Sequence, residues 1–433
     1  MSDSTMLVRS SLFASLALVL AACTVETSDA SCPSGSSSGG SPSGSSGAVP
    51  QGGCVRDRDI EASETWSATA CPDGYLVKAD IGVRGTGVKL VLEPGTVVKH
   101  EAQAGLRIEG GAALVAVGDA SKPITLRGFE DAAGSWRGLE ISSNSTETKL
   151  AFVAIRGAGA SRDRRGALAL VNGDATSGRA ELSDVTIEKN ALVGLELRSR
   201  AKLGRFERVT IRENAAGAAH VDSPAVPQLR GTGIAYEGNG DGNVVLLETN
   251  ALLHVDEDAV WPSVAPAVYR VVGQHGIGGD TVRVDRHLVI EAGAVFEMAG
   301  GSGFVVGGGT AGLRAVGTAD KPIVFKGVAG SSWLGITYGE TTWSENRLER
   351  VEIRNATQAP EWSYYGTGAD GVRKASLLLG YNFTTAVQLT LKDVTFAGPN
   401  AAPADIAKKA AVNLTTEGTN VGAGGAALDI EAF

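Results

Sequence analysis

The chain has 433 residues, a formal net charge of −9 and 58 glycines, with aromatic residues at only 5%. That charge offers no basic surface to nucleic acid and works against long-range attraction to anionic lipid or acidic polymers. A composition so rich in glycine and poor in rings disfavours a globular enzyme with one large core and suits narrow coils with many corners.

Residues 1–22 read as a targeting segment to be left out of the fold. Arg9 precedes an apolar run from Leu12 to Leu20, too short to span a bilayer as a mature helix, and the run ends Leu20-Ala21-Ala22-Cys23. That tetrapeptide resembles a bacterial lipobox. The resemblance implies cleavage before Cys23, lipidation of Cys23 and attachment to a membrane through it; an ordinary signal peptide with an incidental cysteine is the other reading. Thr24, rather than Asp, follows Cys23. By resemblance to the sorting rule of enteric bacteria this points to the outer membrane, facing the periplasm or the cell surface. Residues 23–53 are rich in Ser, Gly and Pro, cannot bury apolar surface and form a flexible tether. Cys54 and Cys71 flank the first coil and can close a small disulfide loop in an oxidising compartment, leaving Cys32 in the tether. Other pairings with Cys32 stay open, and the spacing fits no zinc motif.

The stretch 182–214 contains one unit twice. Leu182-x-x-Val185-x-Ile187-x-x-Asn190 is followed by Phe206-x-x-Val209-x-Ile211-x-x-Asn214, and variants begin at Leu150, Leu348 and Leu391. Each run alternates apolar and polar residues, as a short strand with one buried face does. Asn and Gly between the runs tolerate left-handed angles, so the chain turns corners and each strand stacks in parallel on its predecessor. At a period of about 24 residues this gives about 15 to 17 coils and a length of roughly 75 Å. Asn190, Asn214 and Asn239 then form a ladder at one corner, either as an exposed binding stripe or, the preferred reading, to satisfy the turn backbone.

A longer repeat overlies the coil. Trp66, Tyr75 and Val77 match Trp261, Tyr269 and Val271; Lys122-Pro123-Ile124 matches Lys321-Pro322-Ile323; Trp136 and Gly138 match Trp333 and Gly335. The chain therefore divides into a first module, 54–242, and a second, 243–433, the latter ending in a cap with a short helix around 404–411. These blocks resemble the right-handed parallel β-helix lipoproteins of Gram-negative bacteria, a family mostly without an assigned activity. The fold class is all-β: a right-handed parallel β-helix of two duplicated modules behind a lipoprotein signal and a disordered tether.

Catalytic chemistry is hard to find. There is no Gly-x-Ser-x-Gly elbow, and His100, His220, His254, His275 and His287 show no metal-binding spacing. Neither a cofactor nor a metal is expected. Glu109, Glu140 and Glu196 follow or precede strand hydrophobes and would stack on one face of the first module, with Arg107, Arg137 and Arg198 beside them. The fragment Asn239-Gly240-Asp241-Gly242-Asn243 and the run Asp256-Glu257-Asp258 each resemble part of a calcium site without completing one. Trp343, Trp362, Tyr364 and Tyr365 lie in second-module loops with no aromatic counterpart in the first, and could stack on sugar rings or fold back over the coil. The expected function is a non-enzymatic, membrane-anchored envelope scaffold for binding or adhesion, its partner a polysaccharide or surface protein and not nucleic acid. The alternative is a polysaccharide lyase or glycoside hydrolase using the first-module carboxylates.

Overall fold

A strand of two to four residues cannot satisfy its own main chain, so each must borrow hydrogen bonds from the coil before and the coil after. The computed structural model describes residues 53–160, 165–173, 176–198, 200–249, 253–273, 280–357, 374–380, 386–398, 402 and 404–433. Among them the strands pair in parallel within sheets of 11, 12, 7 and 6 strands, forming a β-solenoid of about 12 turns. That is fewer than the coil period predicts. The Asn190–Asn214 bond spans 24 residues, but the Ala158–Asn190 bond one coil earlier spans 32, because loops leave the corners and lengthen individual coils.

The repeated Leu-x-x-Val unit turns a corner: it lies within one bent strand in the first copy, as Arg179–Glu188, and is split in the second, as Arg347–Glu349 and Val351–Arg354. Leu182 pairs with Phe206 on one side of the coil and Val185 with Val209 on the next. Between them Asp184 and Arg208 are left-handed, with φ of 55° and 49°, and Phe152, Arg350 and Asp393 take the same place in the other copies of the unit. The next corner works likewise. Lys189 and Glu213, with φ of 56° and 54°, turn it, and not Asn190 or Asn214. The asparagines stay buried and serve as the ladder: Asn190 Nδ2 donates to Asn214 Oδ1 at 2.7 Å, and Asn214 Nδ2 donates to Asn239 Oδ1 at 2.9 Å. Asn214 Oδ1 also accepts the Asn190 main-chain N–H at 3.3 Å, and its Nδ2 donates to the Ile187 carbonyl at 3.0 Å. The ladder is a corner device.

Side chains of both copies repeat the duplication. Trp136 and Trp333 each donate their indole N–H to the following coil, to the carbonyls of Arg156 at 2.7 Å and Arg354 at 2.8 Å. The second-copy bore is filled by touching rings of Trp261, Tyr269, Phe296, Phe304, Phe325 and Trp333. At the opposite end Trp66 stacks on Tyr75 at 4.6 Å, with the Arg56 guanidinium 5.3 Å from the Trp66 ring and a Cys54–Cys71 disulfide beside it.

The two copies are joined without a break. The 12-stranded sheet passes through Ala219–Val221, Val244–Thr249 and Val268–Gly273, which pair in turn. Equivalent strands do not stack, however. In the first copy this sheet takes Asp80–Val83, the strand after Tyr75–Val77, whereas in the second it takes Val268–Gly273, the Tyr/Val strand itself. The copies meet with an offset of one side of the coil, so equivalent surfaces face different directions. The helix expected at 404–411 is instead the strand Ala404–Lys408, paired with Ala375–Leu379. Alanine-rich sequence favours helix locally, but the free edge of the previous coil offers five residues a ready ladder.

Replacing Asn214 with Ala strips two buried neighbours of their partners. Urea denaturation is expected to record a loss of about 3 kcal/mol or more, and a loss below about 0.5 kcal/mol would contradict a structural ladder.

Candidate functional site

Alternation on the 12-stranded sheet turns every second residue outward, and the register lines those residues up. Arg107, Glu140, Ala169, Glu196 and His220 form one such column. Glu140 and Glu196 thus share a column, with Ala169 between them. Glu109 stands on the same face two residues beyond Arg107.

Three carboxylates of this face, Glu109, Asp80 and Glu196, are engaged by cations. Glu109 pairs with Arg84 at 2.6 Å and Arg107 at 2.7 Å, and Asp80 takes Arg137 at 3.0 Å. Glu196 is buried: one oxygen lies 2.8 Å from Arg198 Nε, and the other accepts the main-chain N–H groups of Arg165 and Gly166 at 3.0 and 3.1 Å. Burial raises its pKa, but the His220 imidazole, the Arg198 charge and the Arg165 N–H outweigh that and hold the group below the usual carboxylate range. A general acid needs the opposite shift. Glu196 is built to anchor the backbone at Arg165. His220, its neighbour in the column, is buried with it. In the second copy Gly307 occupies the place of Glu109: both donate main-chain N–H to the preceding coil, at Val284 and Val83.

The second cluster surrounds Trp343. Its indole stacks on His287 with ring centroids 4.3 Å apart, and a Cβ added at Gly312 would overlap the indole. His287 pairs with Gly312 in the register, so Trp343 fills the side-chain slot that Gly312 leaves vacant. His287 Nδ1 lies 3.2 Å from Asp258, whose carboxylate also accepts the His287 main-chain N–H at 3.1 Å. The acidic turn 256–258 and the tryptophan are thereby brought to one corner. An open cleft there is lined by Asp256, Glu257, Asp258, Arg286, His287 and Thr310. Trp343 is half-buried. Trp362, Tyr364, Tyr365 and Cys23 lie outside the described residues. Sequence reasoning missed His287, whose only signal is that Asp258 and His287 stand 29 residues apart, about one coil.

In each calcium-like fragment one aspartate already has a partner, Asp258 with His287 in the second. Asp241 pairs with Arg270 at 2.6 Å, Asn239 ends the ladder, and among the described residues no group of three or more His, Cys, Asp or Glu side chains is placed to hold a metal. Among the same residues no helix is long and apolar enough to cross a membrane. The fold defines the class, a parallel β-solenoid. No family model, curated protein or solved structure matches the chain.

Gly312→Ala should cost about 1–3 kcal/mol by overpacking in the wild type and much less in a Trp343→Ala background. Equal thermal shifts in the two backgrounds would show that Trp343 does not occupy the slot.

Proposed function

We propose that this chain is a membrane-anchored envelope scaffold that binds glycan without cleaving it. The observation that carries the reading is the engagement of Glu109 and Glu196 on the first-copy acidic face by arginines. Hydrolysis of a glycosidic bond needs one carboxyl kept protonated and another free to act as base or nucleophile. Glu109 is held by two arginines, and Glu196 is buried, ion-paired and held ionised. Anchoring rests on Leu20-Ala21-Ala22-Cys23, with a bacterial outer membrane as the address and residues 23–53 as the spacer. Trp343, beside the cleft at 256–258, is the described aromatic contact for an uncharged sugar ring.

The test mixes the full chain, in detergent, with uncharged and acidic polysaccharides in the presence of calcium and follows both components by size-exclusion chromatography. Co-elution with polymer length unchanged is expected. Shortened polymer would replace the scaffold with the hydrolase or lyase alternative. Fractionating cells that carry the full chain or Cys23→Ala tests the anchor: the variant is expected in the soluble fraction, and equal membrane partition would remove Cys23 from the account.

A further inference from the structure

On the 11-stranded sheet of the first copy, Lys99, Arg127 and Arg156 stand side by side on consecutive strands, facing outward. Neighbouring strands are about 4.8 Å apart, and like charges set directly opposite destabilise a sheet. The same column then alternates in sign, through Glu188, Arg212 and Glu237. Of the three cations only Arg156 has a carboxylate, Asp131 at 2.9 Å. Arg127 donates to the carbonyls of Gly128 and Phe129 at 2.8 and 3.0 Å, and neither it nor Lys99 forms an ion pair among the described residues.

The second copy resolves the same problem differently. There Glu297 takes the position of Lys99, between Arg270 at 2.7 Å and Lys326 at 3.3 Å. Where like charges meet in the second copy, as at Arg314 beside Arg347, each keeps a carboxylate, Glu345 at 3.8 Å and Glu349 at 2.7 Å. The unneutralised ladder is therefore particular to one copy. Beside it runs a strip of small side chains, Val97, Thr125, Ala154, Thr186 and Thr210, in register. Phe129, two residues past Arg127 on the same face, is 52% exposed.

We propose that this face docks a linear acidic polysaccharide. Carboxylate or sulfate groups on successive sugars pair with Lys99 and Arg127, the chain lies along the small-residue strip, and a sugar ring packs on Phe129. The strand repeat of the ladder is close to the advance of one hexose along an extended chain. A strip one column wide fits a single polymer chain and not the plane of a bilayer; the net charge of −9 opposes any polyanion at long range, so attachment depends on the local charge of Lys99 and Arg127. This rests on the reading of the chain as a glycan-binding scaffold, and adds the charge class of the glycan and a location remote from Trp343.

The second copy supplies the test variant. Lys99→Glu sets a carboxylate beside Arg127 as Glu297 stands beside Lys326, with Leu76 in place of Arg270 on the other side, so it should fold with an unchanged or higher melting temperature. Full-length wild type, Lys99→Glu, Phe129→Ala and Trp343→Ala are titrated with polygalacturonate, dextran and single-stranded DNA at low and high salt. The expected result is polygalacturonate binding that weakens with salt and falls about tenfold in Lys99→Glu, as loss of one charge-assisted pair implies. Phe129→Ala should weaken it as well, and Trp343→Ala should not. Equal polygalacturonate binding by Lys99→Glu overturns the proposal, as does DNA bound more tightly than polygalacturonate. Dextran bound equally by wild type and Lys99→Glu, with no preference for polygalacturonate, leaves the scaffold reading standing and removes this one. No binding of either polysaccharide removes both.

Discussion

Each described strand depends on main-chain hydrogen bonds from a neighbouring coil, and most depend on the coils on both sides. Most strands are three to five residues long, too short to persist alone, and among the described residues none is paired within its own coil. Stacking therefore dictates the rest. To bring each strand over its predecessor the chain must turn sharply at fixed places, and several of those places hold non-glycine residues in the left-handed region, among them Asp184, Arg208, Lys189 and Glu213. Each such residue costs about 1–2 kcal/mol. The asparagine ladder and the apolar bore offset that cost, which explains why the polar groups of Asn190, Asn214 and Asn239 are sequestered at a corner and unavailable to a ligand.

Much of this could be read from the residues. The spacing of Val185, Ile187 and Asn190 marked the coil, and Lys122-Pro123 and Lys321-Pro322 lead directly into the strands Ile124–Gly128 and Ile323–Gly327. The paired tryptophans marked the duplication, and the two Trp136 and Trp333 indole bonds express it in three dimensions. Other features escaped because they depend on register between distant coils. The corner inside Leu-x-x-Val is invisible to an alternation pattern, since Asp184 looks like any outward polar residue of a strand. The one-side offset between copies follows from how Val244–Thr249 stacks on Ala219–Val221, and a repeat in sequence carries no such information. Trp343 was legible as an unusual aromatic, but its partner His287 and the vacancy at Gly312 belong to other coils.

The copies have kept the framework and diverged on the surface. Core positions remain largely apolar in both, His100 in the place of Met298 being an exception, while Glu109 is matched by Gly307 and Lys99 by Glu297. Because the junction offsets the copies by one side of the coil, these differences are displayed in different directions. A duplicated solenoid can thus present two unlike surfaces on one rigid body, one carrying the Trp343 corner and the other the cation ladder. Ion pairing leaves the acidic face of the first copy as part of the framework, fastening Arg84, Arg107 and Arg198 to the sheet.

The account stands or falls on the continuity of the sheet through Val244–Thr249, which joins Ala219 and His220 on one side to Tyr269 and Arg270 on the other. Hydrogen exchange of these amides followed by mass spectrometry tests it directly. A continuous solenoid predicts protection at 244–247 comparable to that at 193–197 and 295–298. Fast exchange at 244–247 between two protected flanks would mean that the copies fold as separate bodies, and would contradict the single framework on which the rest depends.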